Sequence, residues 1–287
     1  MSIRLSLMLA AGLLATGVLA TSHAGAQVVA ARPASATTQR GLQYSFTMTS
    51  TDEKGGASRG TVRSLGDRTR IDMQGDHGKS DTWLLVTDGG RTVAIVNPTD
   101  RKFTEMDADK FANIVGTAMK VVDAFLTLDV EDVTIETQRV GPGGTIAGRP
   151  TERWALVQEY VVNIGMFGKT TPQIHRVVTD YWIARDADMP RNPLFEMLST
   201  TETALAQSSR DFVRQTEARR RELPRGAAMR IVVTSAHSEA DKLTADAPKV
   251  RRIEVTQYGV ASIDAAALRI PEGYERQEAG KGFRFDF

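Results

Sequence analysis

Residues Gly60 to Met106 constrain this chain more than any other stretch, being a ladder of short, apolar-alternating runs separated by turn residues. The runs are Gly60–Ser64, Arg68–Met73, Asp81–Thr87, Arg91–Asn97 and Arg101–Met106. Between them stand Leu65-Gly66-Asp67, Asp88-Gly89-Gly90 and Pro98-Thr99-Asp100. Glycine reaches positive φ without steric cost and proline cannot continue a ladder, so these breaks predict hairpins and the whole stretch an antiparallel meander. In Arg68–Met73 one face carries Thr69, Ile71 and Met73 and the other Arg68, Arg70 and Asp72, the pattern of a half-exposed strand. Trp83–Val86 and Val93–Val96 are apolar on both faces. Both sides of that part of the sheet therefore need a cover, which the pattern predicts to be helices or a ligand.

The flanks supply strands and two amphipathic helices. Leu42–Met48 alternates strictly and predicts the first strand. Ala108–Phe125 places Phe111, Ile114, Val115, Ala118, Val122 and Phe125 at helical spacing. Leu128–Val140 alternates again and Gly141-Pro142-Gly143-Gly144 predicts a loop that ends it; Arg153–Phe167 and Gln173–Ile183 then predict a paired hairpin. A second helix is predicted from about Pro193 to Leu223, with Leu194, Leu198, Thr201, Leu205, Ser208 and Phe212 on one stripe. Its far end is basic, Arg219, Arg220 and Arg221 complementing the C-terminal dipole, and Pro224 and Gly226 stop it. Met229–Ala236 and Val250–Tyr258 predict two further strands, and no internal repeat is visible.

Arg4, the apolar run Ser6–Ala20 and the small-x-small site Ala24-Gly25-Ala26 read as a cleaved secretory signal peptide over residues 1–26. Residues 27–40 read as a flexible leader and 41–287 as a single domain. No other run approaches ~18 apolar residues, so the expectation is an exported, periplasmic protein that is not integral to the membrane. Cysteine is absent, which excludes disulfides and a lipid-modified N-terminal cysteine, so an apolar core must supply the stability. Without Arg4 the 36 basic residues become 35, equal to the 35 acidic ones. That balance gives no reason to expect nucleic acid as a partner.

Catalytic signatures are missing. No G-x-S-x-G, S-x-x-K or H-E-x-x-H occurs. His77, with Asp72, Asp76 and Asp81 nearby, reads as a solvated turn, and His175 and His237 lie apart in sequence. Asp107-Ala108-Asp109 and Asp186-Ala187-Asp188 read as a helix start and a turn. Neither a metal, a cofactor nor a catalytic residue is expected. The terminal Phe283-x-Phe285-x-Phe287 reads as a final strand of a soluble sheet, because too few aromatics and two amphipathic helices argue against a membrane barrel. The side chains that draw attention are apolar. Trp83, Trp154 and Trp182 lie in strands and, with Leu85, Val93, Ile95, Leu194 and Leu198, are the candidates for lining a ligand cavity.

The order of these pieces resembles a group of exported bacterial domains related in fold to the Lol-type lipoprotein carriers and receptors. The resemblance rests on "RTRIDM", "DTWLLVTDGGRTVAIVNPTDRKFTEMD", "GTIAGRPTERWAL", "DYWIARDADMP" and "RIPEGYER". It implies an α+β fold: a strongly curved antiparallel β-sheet, an unclosed barrel, with two or more helices covering its concave face. In the carriers that cavity receives acyl chains. The basic segment Arg210–Arg225 has no counterpart in that pattern, and the missing cysteine excludes a tethered receptor. The expected function is a non-catalytic, soluble periplasmic binding protein for a lipid, an acyl chain or a lipoprotein segment. A cell-envelope interaction protein, meeting lipids or proteins through Arg219, Arg220 and Arg221, is the alternative, with a metal-dependent enzyme behind both.

Overall fold

The computed structural model describes residues 38–51, 57–74, 82–108, 110–111, 126–166, 169–201, 209–239 and 247–278. The strands in chain order are β1 (Thr38–Ser50), β2 (Ser58–Leu65), β3 (Arg68–Gln74), β4 (Trp83–Thr87), β5 (Thr92–Asn97) and β6 (Lys102–Asp107). They continue with β7 (Leu126–Ile146), β8 (Arg149–Met166), β9 (Lys169–Ala184), β10 (Ala227–Glu239), β11 (Lys249–Asp264) and β12 (Glu275–Gln277). All twelve form one sheet in the order β12-β6-β5-β4-β3-β2-β1-β11-β10-β9-β8-β7. Every pairing is antiparallel except that of β12 with β6, and the sheet does not close, β7 and β12 being its two ends among the described residues.

The predicted meander is β2 to β6, with its turns where glycine and proline placed them. β1 starts at Thr38 and so also takes in Thr38–Arg40. The Gly141–Gly144 run is not a loop but part of β7, accommodated by register shifts between Arg139 and Gly141 and between Pro142 and Gly144. The turn comes instead at Ala147-Gly148, where both residues have positive φ, +46° and +77°. A two-residue hairpin whose central pair is left-handed matches the right-handed twist of the strands it joins. Glycine takes that conformation freely; Ala147 does not.

The single helix predicted over 193–223 is two helices, α1 (Pro193–Thr201) and α2 (Arg210–Arg220). The physical reason is Ser209, whose backbone is extended (φ −83°, ψ 117°) and whose hydroxyl accepts the Phe212 N–H at 3.3 Å. That side chain caps a new N-terminus, so the apolar stripe resumes on a second axis. Leu205 and Ser208 of the stripe lie outside the described residues. Of the helix predicted at 108–125, Ala108, Lys110 and Phe111 have helical backbone and both Ala108 and Phe111 are buried; the remainder lies outside the described residues, as do residues 283–287.

The segment from Arg185 to Asn192, leaving β9, crosses one face of the sheet. The Asp188 N–H donates to the Tyr258 hydroxyl of β11 (3.2 Å), which in turn donates to the Asp188 carbonyl (2.7 Å). Asn192 Nδ2 donates to the Tyr44 hydroxyl of β1 (3.0 Å), and Arg191 Nη1 to the Gly90 carbonyl beyond β4 (3.1 Å). The segment contains a turn closed by the Ala187 N–H on the Ala184 carbonyl, and it lies along that face of the sheet.

We call that side the inner face. It carries the main core, in which Tyr44, Phe46, Val62, Ile71, Leu84 and Ile95 are joined by Leu156, Tyr160, Val177, Ile231 and Ile253. A smaller core lies on the outer face: Trp83, Leu85, Ala94 and Val96 under Phe103, Ile270 and Tyr274. The cover on this side is therefore not the helix expected from the pattern but the irregular C-terminal segment. Replacing Ala147 by Asn, which tolerates positive φ, should stabilise the protein by about 1 kcal/mol, read as a raised urea midpoint with an unchanged slope.

Candidate functional site

On the inner face, aromatic side chains tie each helix to the sheet. Period-two alternation puts Tyr44 and Phe46 of β1 on that face, and Phe195 of α1 meets both edge-on, at 5.5 Å and 83° to Phe46 and at 6.3 Å and 75° to Tyr44. Burial raises the Tyr44 hydroxyl well above the ordinary tyrosine value, although the Asn192 hydrogen bond works the other way. Phe46 also fills the space above Gly60, where a Cβ would stand 2.3 Å from Cζ of its ring. α2 repeats the arrangement on β8. Phe212 meets Tyr160 edge-on at 5.1 Å, and Gln158 Nε2 donates to the Thr216 hydroxyl at 3.2 Å, both groups buried.

Beside Tyr160 the rings continue along the ladder. His175 of β9 lies flat against Tyr160 (5.2 Å, 2°), and His237 of β10 stacks on His175 (5.9 Å, 21°). Cross-strand register accounts for the row, since Tyr160 is opposite His175 and His175 opposite His237. His175 Nε2 is buried without a hydrogen-bond partner, and burial, with His237 next to it, holds the imidazole below the ordinary 6.5. Among the described residues no three His, Asp or Glu side chains converge as a metal site would need. Asp72, Asp107, Asp186, Asp188, His175 and His237 belong to different strands and turns; Asp76, His77 and Asp81 lie outside the described residues.

The eight apolar candidates do not share a face. Val93 and Ile95 are on the inner face, and Leu194 is completely buried there at the start of α1. Trp154, half-buried, has the parity of Leu156 and Tyr160, and its indole Nε1 is buried on the side of Glu152, whose carboxyl is held below the usual range first by Arg185 and then by this indole. Trp83 and Leu85 point the other way into the outer core, where the Arg70 guanidinium lies 4.0 Å above the Trp83 ring. Trp182 has arginines over it, Arg153 at 5.0 Å and Arg230 at 4.9 Å. The Leu198 side chain lies outside the described residues. Tyr44, Phe46, Tyr160 and Phe195 are not among the residues the sequence pointed to for the site, and Phe212 was expected only as part of a helical stripe. Their signal was present in the alternation of Tyr44 with Phe46, but nothing local ties either to Phe195.

The basic end of α2 is occupied locally. Arg219 donates through Nε to the Ile135 carbonyl (3.0 Å) and pairs with Glu222 (2.7 Å), Arg221 lies 3.8 Å from Glu217, and Arg220 is half-buried. Among the described residues no helix is long and apolar enough to cross a membrane.

No protein-family model matches the chain. No curated protein matches it either. Among solved structures it is similar to a LolA superfamily protein from Nitrosomonas europaea, at 8% identity and a TM-score of 0.27, over 82% of this chain and 91% of that one.

Tyr44→Phe leaves the buried Asn192 amide without its acceptor and should cost about 1–3 kcal/mol, measured by denaturant unfolding. The depressed His175 fixes a second outcome. Because the unfolded chain takes up its proton at higher pH than the folded one, stability falls as pH drops below the ordinary 6.5. His175→Gln should flatten the dependence of the thermal midpoint on pH between about pH 7.5 and 5; an unaltered slope would assign it to other groups.

Proposed function

We propose that this protein is a non-catalytic, periplasmic carrier or binder of a hydrophobic ligand, an acyl chain or lipid, taken up between the inner face of the sheet and the helices that lie over it. The observation that carries this reading is the continuity of the apolar inner lining. It runs from Val93 and Ile95 on β5, through Val62 and Tyr44, to Ile231 on β10 and Leu156 on β8. The helices meet that lining through side chains, Phe195 and Phe212 by edge-on ring contacts, Leu194 by burial in the core, and Thr216 by its hydrogen bond to Gln158. Val93, Ile95, Trp154 and Leu194 are the lining residues of the proposed site. Binding would be driven by burial of the chain, ~0.8 kcal/mol per CH₂, with no covalent step. The N-terminal signal-like segment supports the periplasmic location.

A second reading, an interaction protein of the cell envelope, draws support from β7. Among the described residues this strand of 21 residues is a sheet edge paired only with β8, and its Val140 is 51% exposed. Such an edge offers unpaired backbone groups to a partner strand.

Native mass spectrometry of the protein isolated gently from its own envelope, followed by organic extraction, separates the two. A stoichiometric acyl species, displaced by a fluorescent fatty-acid probe, is the expected result. An empty protein that also refuses the probe would remove the carrier reading and leave the edge of β7 as the surface to test.

A further inference from the structure

The outer face of β2 and β3 holds a groove of about 320 Å³ lined by Arg59, Arg63, Arg70, Asp72 and Gln74 around the Gly60 backbone. Small-molecule sites begin at about that size, ~300 Å³. Strand register builds it: Arg63 stands opposite Arg70, Thr61 opposite Asp72, and Arg59 opposite Gln74. Like charges directly opposite each other in a ladder repel. Asp72 holds this pair together, accepting from Arg63 Nη1 (2.8 Å) on one oxygen and from Arg70 Nε and Nη2 (2.8 and 2.6 Å) on the other. Arg70 is fixed further by the Trp83 ring beneath it and by its hydrogen bond to the Ala267 carbonyl (3.3 Å). Below the groove Phe46 packs against Gly60 from the inner side, so the floor is backed by core.

The charge of the groove is not balanced. Three guanidinium groups face one carboxylate, a surplus of two positive charges among the lining residues (3 − 1). Elsewhere on the strands Arg153 and Arg176 each have a carboxylate of their own, Asp180 and Glu159, while Arg230 and Arg252 share Glu254. Arg59 is exposed and makes no ion pair with any described residue. Each guanidinium carries five N–H donors in a rigid fork, and Asp72 occupies only Nη1 of Arg63. A surplus of two charges, offered by planar forks across one small concavity, matches a tetrahedral oxyanion better than a single carboxylate.

We propose that this groove binds a phosphate group, held by Arg59 and Arg63 against the fixed wall of Arg70 and Asp72. It lies on the face opposite the proposed acyl site and stands or falls independently of it. The phosphate has two possible sources, a free phosphate ester or the headgroup of an anionic phospholipid.

Titration calorimetry of the full protein at low salt, with inorganic phosphate, glycerol 3-phosphate and acetate, tests the first source. Co-sedimentation with phosphatidylglycerol-containing vesicles, against phosphatidylcholine vesicles alone, tests the second. Arg59→Gln and Arg63→Gln should each weaken binding about ten-fold, while Arg176→Gln leaves it unchanged. Thermal midpoints of the three variants establish that they fold. Binding of the soluble phosphates assigns the free source, and binding of phosphatidylglycerol vesicles alone assigns the headgroup. No binding in either assay, acetate binding as well as phosphate, or undiminished binding by the Arg59→Gln/Arg63→Gln double variant would overturn the proposal.

Discussion

The segment between β9 and α1 is the constraint on which the rest of the arrangement depends. From Asp188 to Asn192 it hydrogen-bonds in turn to β11, to β1 and, through Arg191, to the turn after β4. One short covalent segment thus ties strands from both halves of the sheet to the start of the helices. The Tyr44–Asn192 contact in that segment is buried, so breaking it exposes no polar group to water and leaves both partners unpaired. Asn192 also accepts the Leu194 N–H at 3.0 Å, so the residue that anchors the segment to β1 also starts α1. The path of the segment and the start of the helix are thus set at one point.

Two faces then do different things. The inner face is apolar and meets helices through ring edges, whereas the outer face is striped with arginines and carboxylates. Trp83 and Trp182 sit among those arginines, their ring faces turned to guanidinium groups. Aromatic residues on such a surface brace the charged side chains above them, because a cation over a ring loses less by leaving water. The order of Arg70 in its groove depends on that bracing as much as on Asp72.

Much of the sheet was legible in the sequence because local chemistry carried it. Gly66, Asp88-Gly89-Gly90 and Pro98 fell in the turns, and the five runs between Gly60 and Met106 became β2 to β6. What failed was whatever depended on distant partners. Leu194 and Phe212, the two ends of the predicted stripe, are both buried although Ser209 breaks the helix between them, so periodicity alone hid the break. The facing of Trp83 and Trp154 was equally hidden: a single-residue shift reverses every side chain, and the shift in β1–β11 between Ser45 and Phe46 is a feature of pairing, not of composition. The β7 register shifts also let a Gly-Pro-Gly-Gly run remain in a strand, contrary to its turn chemistry. The aromatic contacts of the site join residues 44 and 46 to 195, and 160 to 212, with no local trace of either pairing.

Two joints of the sheet are not made between chain neighbours, the short parallel pair of β12 with β6 and the long antiparallel seam of β1 with β11. β1 to β6 pair in succession, and so do β7 to β11, each strand with its chain neighbour. The β1–β11 seam joins these two stacks, over Thr38 with Asp264 to Ser50 with Arg251. Within each stack the pairings close shorter loops, whereas the seam closes one on the order of 200 residues, at a larger entropic cost. Until it zips, each half presents a bare strand edge, thirteen residues long on β1 and sixteen on β11, to whatever chain lies nearby. For a chain delivered from its N-terminus, the first of those edges waits open while nearly all the rest arrives.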